Sequence, residues 1–99
     1  MSSEPMQAFL PGADLVQQGL ADLAEGRMTD CSLLVMVASP RLKRLGIQIP
    51  EVNFPWPYEH ELYSLLEERL GAGAHSHYNS LVRRVVSYEH ALERERNRY

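Results

Sequence analysis

The chain is poor in cysteine and in long apolar runs, and these shortages exclude several classes of protein. Its single cysteine cannot form an internal disulfide bond or supply a zinc module that needs several thiolates. The longest apolar run covers six residues, Leu33 to Ala38, whereas a membrane-spanning helix needs roughly 20. No basic segment precedes an apolar one near Met1, so no secretory signal is predicted. We therefore expect a cytoplasmic protein that does not associate with membranes.

Sequence patterns typical of enzymes are also missing. The chain has no glycine-rich phosphate loop, no Gly-x-Ser-x-Gly turn and no His-Glu-x-x-His pair. The neighbours of Cys31 are largely apolar, and burial among them raises the pKa of a thiol instead of activating it. The sequence thus favours a protein that is not an enzyme and that binds no cofactor.

What the sequence does contain is typical of one small helical domain. Its 99 residues are 44% hydrophobic and 23% charged, which predicts a single globular domain over 1–99. Apolar residues recur at three-to-four spacing, typical of amphipathic helices. We predict a compact all-α bundle of four to five helices, at about 13–25, 30–38, 40–45, 57–70 and 76–95, with an extended proline-rich connection at 46–56. Residues 1–10 and 95–99 are expected to fray.

The second segment is compatible with either a helix or a strand. Val35 and Val37 permit a central strand, because periodicity does not separate the two for a short apolar run. No other part of the chain resembles a partner strand, and a lone strand would leave its backbone groups unpaired. The sequence therefore favours a helix over 30–38. Pro40 then predicts a break, with a separate helix at 40–45.

Three glycines have predicted structural roles. Gly19 lies on the apolar stripe of the first helix, where its missing side chain would let another helix approach closely. Gly26 and Gly46 follow predicted helix ends, where glycine adopts the left-handed conformation without a steric penalty.

Charge alternates along the chain in blocks. Residues 1–30 and 51–75 each carry a net charge of −4, whereas 31–50 carry +3 and 76–99 carry +2. Two basic clusters follow, Arg41 with Arg44 and Arg83 with Arg84. If the second and last helices adjoin, these arginines would form one basic face for a phosphate-rich partner such as nucleic acid. Alternatively, they pair with carboxylates on neighbouring helices.

Glutamate–histidine pairs raise the alternative of a metal-dependent enzyme. Only His90 and Glu93 have the helical spacing of metal ligands, and a di-iron site would need further carboxylates, so no metal ligand is assigned. Glu89 borders the apolar stripe of the last helix and needs a partner if it is buried. We list Glu89, His90 and His60 as candidate buried polar residues.

Trp56 lies between two prolines and close to Phe54 and Tyr58. Tryptophan is enriched at the centres of protein interfaces, so these three residues are candidates for binding a partner. The alternative is that Trp56 covers the core as a lid, because a small core needs large aromatic side chains.

A domain of this size has a limited interior, yet residues 31–38 and the 46–56 connection are both apolar. A second copy would cover part of that surface. The sequence therefore predicts a small non-enzymatic binding or regulatory module that acts through self-association or a protein partner. The alternatives are a nucleic-acid-associated regulator that uses the basic face and a metal-dependent enzyme built on the Glu-His pairs.

Overall fold

Helices make up the regular structure in the computed structural model, which describes residues 10–97. They are, in chain order, α1 (Ala13–Ala24), α2 (Asp30–Arg44), α3 (Tyr58–Leu70) and α4 (Ala74–Arg96), with a 3-10 turn at Gly71–Gly73 before α4. No residue between 10 and 97 lies in a strand. The radius of gyration of 13.7 Å is close to the value of about 13 Å typical of compact 100-residue domains. The predicted compact all-α fold is confirmed.

Helix α2 lies at the centre and contacts α1, α3 and α4. Its side chains Leu33, Leu34, Val35 and Leu42 are fully buried. The same core cluster contains Val16 and Leu23 of α1, Leu62 and Leu66 of α3, and Leu81, Val85, Tyr88 and Leu92 of α4. A helix that is apolar on most sides is stable only when other elements surround it, and here the remaining helices do so.

Helix α2 is continuous across Pro40, so the predicted break between 30–38 and 40–45 is wrong. A proline inside a helix has no N–H to donate to the carbonyl of the preceding turn, and its ring clashes with that carbonyl. Together these effects destabilise a helix by roughly 3 kcal/mol. Leu42 continues the buried stripe beyond Pro40, and burying a leucine stabilises by roughly 1.5–3 kcal/mol. Packing of the last turn therefore offsets the local cost of the proline.

Capping motifs define both ends of α2. At its start, the hydroxyl of Thr29 accepts a hydrogen bond from the Ser32 N–H (3.1 Å), and the hydroxyl of Ser32 accepts one from the Thr29 N–H (2.7 Å). At its end, Gly46 has a φ of +94°, and the Ile47 N–H donates to the Leu42 carbonyl at 2.9 Å. Gly26 (φ +72°) ends α1 in the same way. Both predicted glycine stops are confirmed.

Helices α1 and α2 approach each other at Gly19. A Cβ atom built on Gly19 would lie 2.5 Å from the carbonyl oxygen of Cys31 and 2.5 Å from Cγ2 of Val35. No real side chain fits at such distances, so the helices pack at this separation only because residue 19 is glycine. The predicted close approach is confirmed.

Residues 47–57 cross from α2 to α3 without regular structure, as the prolines predict for 46–56. Four of their side chains pack against the core: Ile47, Ile49, Val52 and Phe54. After α3, the Gly71–Gly73 turn sends α4 back along α3, where the rings of Tyr63 and Tyr78 lie with centroids 5.5 Å apart.

The predicted boundaries differ slightly from those observed. Helix α1 ends one residue earlier than predicted, α3 begins one residue later, and α4 extends beyond 76–95 at both ends. The predicted fraying of 1–10 and 95–99 falls mostly outside the described residues, but Glu95 and Arg96 still belong to α4. None of the helices within 10–97 combines the length and apolar character needed to cross a lipid bilayer.

Replacing Gly19 by alanine tests the α1–α2 contact. The added methyl group forces the two backbones apart, and we expect the free energy of unfolding to fall by about 1–3 kcal/mol in urea denaturation. Gly73→Ala is the matched control, since a Cβ there meets only the Cβ of Leu70 at 3.8 Å and alanine is a better helix former. Equal stability of Gly19→Ala and the parent protein would contradict the close approach.

Candidate functional site

The most exposed large apolar side chain among residues 10–97 is Trp56, with 77% of its surface accessible. Val52 and Phe54 turn inward and are half-buried, whereas Pro55 and Pro57 are exposed. We call the exposed segment Pro55–Trp56–Pro57 the Trp56 knob. Both of its ends are held, because Phe54 packs against the core on one side and α3 begins directly after Pro57 on the other.

The structure separates the three predicted partner-binding residues. Phe54 and Tyr58 are half-buried, so Trp56 is the only one of the three that is largely exposed to solvent. The alternative of a core lid is wrong for Trp56. Strand-like alternation after Val52 and Phe54 would direct Trp56 inward, but the chain bends at this residue to begin α3 and turns the side chain outward.

Acidic groups surround the knob along the chain. Residues 45–68 contain no lysine or arginine, and Glu51 and Glu59 on either side of the knob are both exposed. Within residues 10–97, neither carboxylate forms an ion pair. An exposed aromatic ring in an acidic stretch of the chain is a suitable surface for a cationic group.

The four predicted basic-face arginines line two different depressions, Arg41 and Arg44 in one and Arg83 and Arg84 in the other. Arg41 donates a hydrogen bond to Glu89 at 3.4 Å. Arg44 lies beside it in an open cleft of about 330 Å³ between the ends of α2 and α4, which Glu93 also lines. Arg84 donates two hydrogen bonds to Asp14 at 3.0 and 3.1 Å, and so joins α4 to the start of α1. Two of the four arginines, Arg41 and Arg84, are therefore paired with carboxylates, as the alternative interpretation predicts.

Arg83, unlike Arg41 and Arg84, has no carboxylate partner in the described part of the chain. Its side chain is exposed and forms no hydrogen bond or ion pair with any residue from 10 to 97. With Ser80, Arg84 and Ser87 it lines an open depression of about 320 Å³ on α4, which we call the α4 depression. Residues 69–88 contain no aspartate or glutamate, so this part of α4 supplies no carboxylate of its own.

Glu89 is a nearly buried carboxylate, with only 5% of its side chain exposed. Burial raises its pKa above the ordinary value, and Arg41 opposes this only in part. The long 3.4 Å contact and the exposed position of Arg41 explain why the arginine compensates incompletely.

The other candidate buried polar residues, His60 and His90, are both exposed, so the expectation of burial is wrong for them. Each histidine directly follows a glutamate in the sequence, so the two side chains of each pair point to different sides of the helix. Among residues 10–97, no three His, Cys, Asp or Glu side chains are grouped so that they could hold a metal ion. Burial also raises the pKa of the Cys31 thiol.

A second buried carboxylate, Asp22, was missed by the sequence analysis. It accepts hydrogen bonds from Thr29 (2.7 Å), Gln18 (3.0 Å) and Arg27 (2.9 Å). The Thr29 hydroxyl lowers the pKa of Asp22 although burial opposes it. The available signal was an acidic residue within the apolar stripe of α1, three residues after Gly19.

No protein-family model matches this chain, and neither a curated protein nor a solved structure matches it.

We expect Asp22→Asn to reduce stability at neutral pH and to flatten the acid side of the stability profile. Because the folded-state pKa of Asp22 is lowered, its contribution is complete above the unfolded value of 3.8 and is lost as the pH falls through the folded value. Urea denaturation between pH 2 and 7 measures this. A variant with the same acid-side slope as the parent protein would contradict the assigned role.

Glu89→Gln should have the opposite effect. Since the folded-state pKa of Glu89 is raised, its ionised form costs stability above that pKa, and the cost disappears as the pH falls below the unfolded value of 4.5. The neutral glutamine should therefore raise the free energy of unfolding at pH 7 and leave it unchanged near pH 4. A glutamine variant that is less stable than the parent protein at pH 7 would show that the Arg41 contact outweighs burial.

Proposed function

We propose that this protein is a non-enzymatic helical binding module of the cytoplasm that self-associates through the Trp56 knob. The observation that carries the proposal is the exposure of Trp56, the chain's one tryptophan. Large aromatic side chains are usually buried at least in part, and fully exposed ones in fixed positions serve best as anchors in interfaces.

The attachment of the knob supports a binding role. The segment is anchored by Phe54 before it and by Tyr58 after it, both half-buried. The flanking prolines restrict the backbone further, because each fixes its own φ. An anchor that is ordered before binding loses less conformational entropy when a partner covers it.

The charge distribution supports a second copy as the partner. The knob belongs to a stretch, 45–68, whose charged residues are all acidic, whereas the only charged residues of 69–88 are arginines. Two copies of the chain therefore offer each other segments of opposite charge. Complementary charge favours encounter and orientation of the partners.

Replacing Trp56 by alanine tests this function. We expect sedimentation velocity at increasing concentration to show association of the parent protein, and Trp56→Ala to weaken the association constant by at least about tenfold. In parallel, the emission of the single tryptophan should shift to shorter wavelength as the parent protein associates and the ring leaves water.

Met28→Ala is the matched control, because Met28 is an exposed apolar residue (42%) in the turn between α1 and α2. It should associate like the parent protein. A parent protein that stays monomeric throughout, with an emission spectrum independent of concentration, would refute the proposed function.

A further inference from the structure

We propose that the surface that receives the Trp56 knob is the α4 depression of a second copy, with the guanidinium of Arg83 stacked on the indole ring. The inference rests on the proposed function and adds the binding surface to it. It joins two features that are both left unpartnered within residues 10–97: an exposed aromatic ring and an exposed, unpaired arginine.

The chemistry of the two surfaces matches. Tryptophan is the aromatic residue that binds cations best, and arginine is the cation most often found on its face. The lining of the depression also includes the hydroxyl groups of Ser80 and Ser87, whose small side chains let the ring approach the helix. The depression therefore offers the knob both a cation and small polar groups.

The charges near the two surfaces in the sequence match as well. Glu51 precedes the knob and Glu59 follows it in the sequence, and both are exposed and lack an ion pair within 10–97. The depression lies in a stretch without carboxylates and holds Arg84 beside Arg83. Both partners of the Arg84–Asp14 ion pair are exposed, with 47% of the Arg84 side chain and 74% of the Asp14 side chain accessible. A second carboxylate can therefore approach the same guanidinium.

The position of Arg83 on α4 makes it accessible to another molecule. Leu81 and Val85, two residues before and after it, are buried, and at 100° per residue Arg83 points away from the core. Its own chain supplies no carboxylate between 69 and 88. A second copy can therefore contact Arg83 without displacing any intramolecular bond.

Because knob and depression are different patches of one chain, two defective variants should complement each other. Arg83→Glu keeps the knob but has a damaged depression, and Trp56→Ala keeps the depression but has no knob. Each should be monomeric alone at concentrations where the parent protein associates. Their equimolar mixture should form a mixed complex, since one knob and one depression remain intact.

The single tryptophan makes this mixture easy to observe. All tryptophan emission comes from the Arg83→Glu chain, because the other variant has none. Titrating Trp56→Ala into a fixed amount of Arg83→Glu should shift the emission to shorter wavelength with saturation, and added salt should weaken the complex. Lys43→Glu is the charge-matched control on α2, and it should associate like the parent protein within about twofold. Circular dichroism of each variant is the control for folding.

Four other outcomes would overturn the inference. If Arg83→Glu alone associates like the parent protein, the knob binds elsewhere and the proposed function stands without this surface. The same holds if the mixture fails to associate. If the parent protein is monomeric, the proposed function fails too. A monomeric parent protein that binds a labelled DNA duplex, with loss of at least tenfold in affinity on Arg83→Glu, would assign the depression to nucleic acid instead.

Discussion

Enclosure of α2 is the constraint on which the rest of the structure depends. Leu33, Leu34, Val35 and Leu42 need apolar neighbours on several sides, and α1, α3 and α4 supply them. This requirement explains the tight α1–α2 contact at Gly19, which brings the first neighbour close enough. It also explains why the helix continues across Pro40, because ending it there would withdraw Leu42 from the core.

The buried carboxylates show two solutions to the same electrostatic problem. Asp22 receives three hydrogen bonds from groups on its own hairpin, so its charge is stabilised and its pKa falls. Glu89 has one long hydrogen bond from Arg41, so its charge is poorly compensated, and burial raises its pKa. Desolvation acts on both groups, and the number and length of the hydrogen bonds decide its net result. The first carboxylate stabilises a turn, whereas the second is tolerated between α2 and α4.

The acidic residues of 45–68 and the arginines of 69–88 lie in separate stretches of the chain, and packing of the core does not require this separation. Acidic groups accompany the exposed Trp56, and arginines accompany the carboxylate-free part of α4. Exposed charges contribute little to the stability of the fold itself. Such a division instead favours a specific orientation when one molecule meets another, which is why we relate the knob to association and its binding surface to α4.

The sequence by itself determined the helical class, the glycine stops and the irregular connection, predicted at 46–56. These features depend on local chemistry: apolar spacing, the left-handed conformation of Gly26 and Gly46, and the prolines. The prediction from local sequence was wrong at Pro40, where the burial of Leu42 outweighs the tendency of proline to break a helix. They also did not identify the partners of Arg41 and Arg84, since the pairing of Arg41 with Glu89 and of Arg84 with Asp14 joins residues 48 and 70 positions apart.

Only the tertiary structure decided which candidate site residues are accessible. The spacing of Phe54, Trp56 and Tyr58 is the same whether the tryptophan covers the core or leaves it, and the bend into α3 places it outside. The free guanidinium of Arg83 is likewise indistinguishable from its neighbour in the sequence. Accessibility depends on how distant segments pack, and that information is not contained in local spacing.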